Sequence, residues 1–245
     1  MSSLGTHLVL IPAYNPGPLL LQTVREALGA WDAVWVVVDG STDRSHEPLV
    51  GQALPGLRVI VRPANGGKGA AVLTGATEAL AAGYTHALVM DADGQHPADH
   101  IATFMAVSRD RPGAVVCGKP SFGPEAPMAR LQGRKLSIGL VRLETGGRGA
   151  ADPLFGFRVY PLARLVAALK ATGGGRGYDF DPEMAVRLAW AGVPAVNVDA
   201  PCRYIDREKG GVSHFNYLRD NLLMVAMHTR LIATRLFRGG NPPAP

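Results

Sequence analysis

The run Ala87-Leu88-Val89-Met90-Asp91-Ala92-Asp93-Gly94-Gln95-His96 carries two signals at once. An apolar segment of strand type leads directly into two carboxylates spaced i, i+2, and Gly94 then lets the backbone turn. At strand spacing the two acids share one face about 7 Å apart and repel by about 2 kcal/mol at an effective dielectric of about 20. Such a pair attracts a hard divalent cation, Mg2+ or Mn2+, which takes oxygen ligands and shares them with phosphate. An Asp-rich turn closing a strand is the plainer alternative.

Upstream lie three segments of similar build. Leu8-Val9-Leu10-Ile11, residues 34–38 and residues 57–61 are rich in apolar, β-branched residues, as expected of strands that a parallel sheet buries on both faces. They alternate with helical spacing over 19–28 and 70–80; Pro97 opens a further helix reaching about Ser108, and Ala114-Val115-Val116-Cys117 reads as a fifth strand. The alternation predicts an α/β fold with a mostly parallel central sheet flanked by helices on both faces. Sheets of this kind bind ligands beyond the carboxyl ends of their strands. Asp39-Gly40-Ser41-Thr42-Asp43 and Asn65-Gly66-Gly67-Lys68-Gly69 fall at two such ends. In the first, Ser41 or Thr42 is placed to cap a following helix. The second offers free N–H groups and a positive helix end to a phosphate, with Lys68 adding a point charge, or serves as a flexible connection. Gly69 stands where a Walker loop needs Ser or Thr, which argues against a P-loop phosphotransferase.

The 245 residues, 47% hydrophobic and 18% charged, suffice for one domain with a sizeable core. A net charge of +5 points to an acidic partner: a nucleoside diphosphate or an anionic membrane surface. Without clustered lysines interleaved with aromatics, nucleic acid is not expected. Cys117 and Cys202 lack disulfide-framework or metal-ligand spacing and read as buried thiols of a reducing cytoplasm; no signal peptide is read at the N-terminus.

Beyond Gly118 the texture changes. Residues 119–128 read as a loop, and the helix that follows carries Arg130, Arg134, Lys135 and Arg142, either a solvated face or a wall for anions. Residues 152–160 suit a floor beneath a substrate or a hairpin edge packed on the core. Asp179, Asp181 and Glu183 open a helix as dipole partners or as a source of a base. Residues 193–198 form a last strand, and the polar loop 201–215 could close on phosphates, with His214 as a hydrogen-bonded surface residue or a catalyst. Along 217–237 the stripe Leu218, Leu222, Val225, Ile232 and Leu236 packs on the domain or lies on a membrane surface.

Together these stretches resemble the family 2 glycosyltransferases of GT-A fold, most closely the branch of polyprenyl-phosphate (dolichol-phosphate) sugar synthases and its uncharacterised bacterial relatives. The resemblance rests on Ile11-Pro12-Ala13-Tyr14-Asn15, Val37-Val38-Asp39-Gly40-Ser41-Thr42-Asp43, Asn65-Gly66-Gly67-Lys68-Gly69, Asp91-Ala92-Asp93-Gly94-Gln95-His96, Gly156-Phe157-Arg158-Val159-Tyr160 and residues 180–183, in that order. It implies that Pro12, Tyr14 and Asp39 hold the base and ribose of a nucleoside-diphosphate sugar, with Asn15 beside them and Lys68 near the diphosphate. Asp91 would touch nucleotide and metal, and Asp93 and Gln95 would ligate the metal. Arg134, Arg158, Arg203 and Arg207 fall where that branch holds phosphates; Arg203 and Arg207 are assigned to the donor, Arg134 and Lys119 to the acceptor, and Arg158, Asp181 and Glu183 to catalysis. Two positions depart from the pattern. The usual paired Asp is Val38-Asp39 here, and Lys119 replaces an acceptor-phosphate Arg without its planar, bidentate contact.

The resemblance therefore implies a metal-dependent inverting glycosyltransferase, moving a sugar to a lipid or lipid-phosphate acceptor at the inner face of the plasma membrane. Residues 1–238 would form one domain: a nucleotide-binding half over 8–118, an acceptor-binding half over 119–216 and a C-terminal amphipathic helix over 217–238, before a disordered tail over 239–245. A sugar-nucleotide pyrophosphorylase would need a Gly-rich, Arg-containing loop after the first strand, where Pro12-Ala13-Tyr14-Asn15 stands. A non-catalytic nucleotide- or membrane-binding protein of the same fold is the other alternative.

Overall fold

The structure, a computed structural model, describes residues 5–52, 54–123, 128–172, 177–203, 205 and 217–237. In chain order the elements are β1 (His7–Ala13), α1 (Leu19–Ala30), β2 (Val34–Asp39), α2 (Glu47–Val50), β3 (Leu57–Arg62), α3 (Lys68–Ala81), β4 (His86–Val89), α4 (Ile101–Asp110), β5 (Val115–Phe122), α5 (Met128–Thr145), β6 (Arg158–Pro161), α6 (Leu162–Lys170), α7 (Phe180–Trp190), β7 (Ala195–Cys202) and α8 (Tyr217–Phe237).

One seven-stranded sheet runs in the order β3-β2-β1-β4-β6-β5-β7. All its pairs are parallel except those of β6, which runs against both β4 and β5. The apolar runs behave as their composition demands. Every residue of β2, β4 and β6 is buried, whereas the edge strands β3 and β7 are half-covered. Side chains alternate between two apolar layers. Leu8, Leu10 and Val37 pack under α3, α6 and α7. Val9, Ile11 and Val36 pack under α1 and α4 on the opposite face.

Three local readings change. Residues 152–160, taken as a floor or a hairpin edge, supply β6 in the middle of the sheet. The loop expected from 119 begins later: β5 continues to Phe122 by pairing with β7 as far as Cys202, and the last strand extends correspondingly beyond 198. Pro120 is tolerated there because it lies past the two residues, Val116 and Cys117, that pair with β6. Neither Ser41 nor Thr42 caps α2, whose N-cap is His46. Ser41 Oγ instead accepts the Asn15 N–H at 3.0 Å, and Asn15 Oδ1 accepts the Thr42 and Asp43 N–H groups at 2.7 and 3.2 Å.

Helix α8 docks by one face and leaves another open. Met227 and Leu231 pack against Val141, Val186 and Trp190 of α5 and α7. His228 Nδ1 lies 2.8 Å from Glu144 Oε1, and Arg230 pairs with Glu183 at 2.8 Å. The stripe read from sequence lies mainly elsewhere on the helix: Leu218, Leu222, Val225 and Leu236 are all exposed. Among the described residues no helix is long and apolar enough to cross a membrane.

Candidate functional site

β1 has β2 on one side and β4 on the other, so connections leave it in opposite directions and a crevice opens at the strands' carboxyl ends. The loops after β1, β2, β3 and β4 converge there. Asp39, the last residue of β2 and 1% exposed, joins two of them. Its carboxylate accepts the Gly66 N–H at 3.1 Å and the Gly67 N–H at 2.7 Å, and pairs with Arg62 at the end of β3. Gly40 permits the approach: its φ is +65°, and a Cβ would lie 2.4 Å from the Asn65 nitrogen. Asp39 thus fixes the entrance to α3. Pro12 lies on β1, followed by the rim residues Tyr14 and Asn15.

Lys68, the first residue of α3, projects from that fixed entrance. Its Nζ lies 2.6 Å from Asp91 Oδ1 and 2.7 Å from Asp181 Oδ2, with the Phe180 ring 5.5 Å away. Burial opposes the charge on Lys68, but the carboxylates of Asp181 and Asp91 outweigh it and hold the ammonium above lysine's ordinary range. Burial likewise works against ionising Asp91, yet the Lys68 ammonium beside it brings it down to about 2. Asp93 goes the other way: burial and the Asp91 charge push it up to about 6. The expected repulsion is therefore present, but not at strand spacing. β4 ends at Val89, and Asp93 lies in a turn, accepting the Gln95 N–H at 3.0 Å.

His96 closes the same turn from behind. The Asp91 N–H donates to His96 Nδ1 at 2.9 Å, so the ring carries its proton on Nε2, which lies 3.7 Å from Asp91 Oδ2. Burial lowers the pKa of His96 and keeps it neutral, edge-on to Phe155. His96 ends the quoted motif, but only the tight turn reveals that it steadies Asp91.

Arg158 lies beneath this cluster, 0% exposed. It sits on β6 opposite Val89 and Cys117. Its guanidinium donates to the carbonyls of Asp152, Pro153, Phe155 and Asp181 at 3.2, 2.7, 3.0 and 2.8 Å, joining the connection between α5 and β6 to α7. On α7 the two candidate acids separate. Asp181 faces Lys68 and leaves its Oδ1 buried with no hydrogen-bond partner among the described residues, whereas Glu183 is fully buried between Arg187 and Arg230.

The acceptor candidates line the β5 side. Arg134 pairs with Asp152 and stacks on Phe122, 5.0 Å from the ring centre. Lys119 is exposed and pairs with Asp199 at 3.1 Å. Burial pushes the Cys202 thiol up to about 11, with Arg134, Asp93, Asp152 and Asp91 contributing smaller effects. Arg203 lies 3.6 Å from Asp99 by its guanidinium, and its backbone N–H donates to the Gln95 carbonyl at 3.0 Å. Arg207 and His214 lie outside the described residues, as does the tail.

Among the described residues no three His, Cys, Asp or Glu side chains are gathered as a metal cage. The donor set nevertheless fits a divalent cation that keeps part of its shell for other ligands. Asp91 and Asp93 are hard oxygen donors, Asp93 is short of positive charge, and Gln95 follows in the same turn.

The family model for Glycosyl transferase family 2 matches residues 8–162, and the chain belongs to that family. The match runs from β1 through β6. Among individual proteins, the chain is 25% identical to the dolichyl-phosphate beta-glucosyltransferase ALG5A of Trichomonas vaginalis over 251 residues, covering 93% of this chain and 75% of that protein. Of solved structures, S. aureus TarS 1–349 superposes with a TM-score of 0.54 at 16% identity, over 80% of this chain and 60% of that one. The complex of TarS 1–349 with UDP-GlcNAc gives 0.54 at 13% identity, over 94% and 73%. The chain thus spans less than two thirds of the first TarS structure. At these identities the likeness is one of fold, the GT-A fold that the motifs imply.

Proposed function

We propose that this family 2 glycosyltransferase transfers a sugar, with inversion, from a nucleoside-diphosphate sugar to a lipid or lipid-phosphate acceptor, with Mg2+ or Mn2+ held by Asp91, Asp93 and Gln95. The observation that carries the reading is the Lys68 ammonium held between Asp91 and Asp181 at the crevice where four strand-end loops meet. A cation of this kind, at a helix N-terminus beside an acid pair, suits a diphosphate. Pro12, Tyr14 and Asn15 border the end expected to take the nucleoside, and Asp39, buried behind them, fixes the neighbouring entrance to α3. When bound, the divalent ion supplies Lewis-acid neutralisation of the departing diphosphate.

The chain's own groups account for the rest. Lys68 adds electrostatic stabilisation as charge grows on the leaving group. If the acceptor is a hydroxyl, Asp181 Oδ1, buried and without a hydrogen-bond partner among the described residues, is the atom to receive its proton. If it is a phosphate, already ionised, no base is needed, and Arg134 and Lys119 hold it. The named activity of the Trichomonas vaginalis relative supports the lipid-phosphate acceptor. The exposed stripe of α8 supports contact with an anionic membrane surface, as would a net charge of +5; the protein would then act at the cytoplasmic face of the plasma membrane.

The test incubates the protein with UDP- and GDP-sugars, Mn2+ and dolichyl phosphate. Release of nucleoside diphosphate that depends on the acceptor is expected. The absence of both turnover and a thermal shift with every sugar nucleotide would overturn the proposal, because a ligand bound by the native state must stabilise it.

A further inference from the structure

The Lys68 bridge raises a question that the donor site alone does not answer. Asp91 is expected to serve a divalent cation, yet one of its oxygens already holds an ammonium at 2.6 Å. The position of that ammonium is built in from several sides. Asp39 pins the loop from which Lys68 departs, and the Phe180 ring flanks the charge. Gly156 leaves the room it occupies: a Cβ there would lie 2.8 Å from Lys68 Nζ and 3.2 Å from Asp181 Oδ2. The local charges also matter. Asp91 feels both Lys68 and Arg158, Asp93 feels Lys68, and Asp181 acts on Arg158 while pairing with Lys68, so three carboxylates share two cations.

We propose that Lys68 is a resident counter-cation that competes with the divalent metal for Asp91, so that the protein takes up metal tightly only when a diphosphate draws the ammonium away. The inference rests on the metal-dependent reading above. In the free protein Lys68 satisfies Asp91 and Asp181 together, and a metal entering alone meets one ligand already neutralised. A diphosphate offers Lys68 alternative oxygens. Moving toward it frees Asp91 for the metal and Asp181 for the acceptor. Metal and donor affinities are then coupled, and by linkage each raises the other by the same factor.

The test is Mn2+ binding, read from the loss of the free-ion signal in electron paramagnetic resonance, with and without UDP or GDP. Wild-type protein should bind Mn2+ weakly alone and much more tightly with nucleotide. Lys68→Gln should raise nucleotide-free Mn2+ affinity by about tenfold or more, because a neutral amide replaces a cation beside Asp91, and should shrink the nucleotide enhancement. Gly156→Ala, whose methyl would crowd the ammonium without removing it, should move nucleotide-free affinity the same way and carries the test should Lys68→Gln not fold. Wild-type Mn2+ affinity that is indifferent to nucleotide overturns the proposal. So does unchanged or weaker Mn2+ binding in the folded variants, which leaves the metal-dependent reading standing if the wild type still needs nucleotide. Failure of the wild type to bind Mn2+ with any nucleoside diphosphate overturns both.

Discussion

Replacing Arg158 with alanine separates a residue that acts in the cleft from one that holds the cleft together. The side chain is fully buried, and its guanidinium donates to four backbone carbonyls and, at 3.4 Å, to the Tyr160 hydroxyl. Truncation leaves those acceptors short of a donor and opens a cavity at the centre of the sheet. An unsatisfied buried group costs about 1–3 kcal/mol, and removing one partner of a buried charged network about 3–5 kcal/mol. Relaxation and entering water recover part of the sum, so a net loss of about 4 kcal/mol is expected. For a chain of this size each kcal/mol moves the midpoint by about 2–4 °C, giving a fall in Tm of about 8–16 °C.

The assay is thermal unfolding followed by far-UV circular dichroism, with Arg158→Lys alongside. Lysine keeps the charge but has one donor nitrogen in place of a fork, so it should lie between alanine and wild type. If Arg158→Ala melts within about 2 °C of wild type while turnover is lost, the guanidinium contributes little to the fold and the structural reasoning fails.

Other perturbations read other parts of the chain. His7, stacked on His86 and 3.0 Å from Ser108 by its Nε2, has its pKa lowered to about 4, first by burial and then by His86 and Arg109. Between that value and the ordinary 6.5 the unfolded chain binds more protons, so stability should fall as pH drops from 6.5 toward 4, by about 3 kcal/mol; equal urea midpoints for His7→Gln and wild type across this range would refute it. Asp39→Asn turns one acceptor oxygen into a donor facing the Gly66 and Gly67 N–H groups and weakens the Arg62 pair. It should cost about 1–3 kcal/mol and lower nucleoside-diphosphate affinity by about tenfold; undiminished calorimetric affinity would show that the α3 entrance does not depend on it. Leu222→Glu with Val225→Glu changes two exposed side chains. The melting temperature should stay within about 2 °C while co-sedimentation with phosphatidylglycerol vesicles is lost, and vesicle binding equal to wild type would remove α8 from the membrane reading.

What the sequence discloses of this fold follows the range of the interactions involved. β1, β2 and β4 are visible as apolar runs because strands covered on both faces need little beyond their own composition. β6 is not: Arg158-Val159-Tyr160-Pro161 is four residues long, contains a charge and a proline, and becomes a central strand only when β4 and β5 accept it from either side. Its arginine can be interior because carbonyls from residues 152, 153, 155 and 181 meet it there, a set that no local pattern announces. The fate of α8 shows the same limit. A search for apolar period finds Leu218, Leu222 and Val225, whereas docking uses Met227 and Leu231 together with the polar His228 and Arg230, whose partners lie on α5 and α7.

The acid pair on α7 was more accessible than a list of candidate bases suggests. Residues two apart on a helix are rotated by about 200°, so Asp181 and Glu183 cannot both face one cleft. Helical geometry divides their work without reference to any homologue; only the identity of the cleft-facing acid must come from the tertiary structure. That choice depends on Lys68, 113 residues away in sequence, which reaches Asp181 because Asp39 fixes the start of α3 and Gly156 leaves the space. Glu183 goes instead to Arg187 and Arg230 and ties α8 to the domain. The turn of helix that presents an acid to the cleft therefore also anchors the helix whose apolar face is exposed, so loosening α7 at either acid should disturb both ends of the proposed reaction, the donor cleft and the membrane-facing surface.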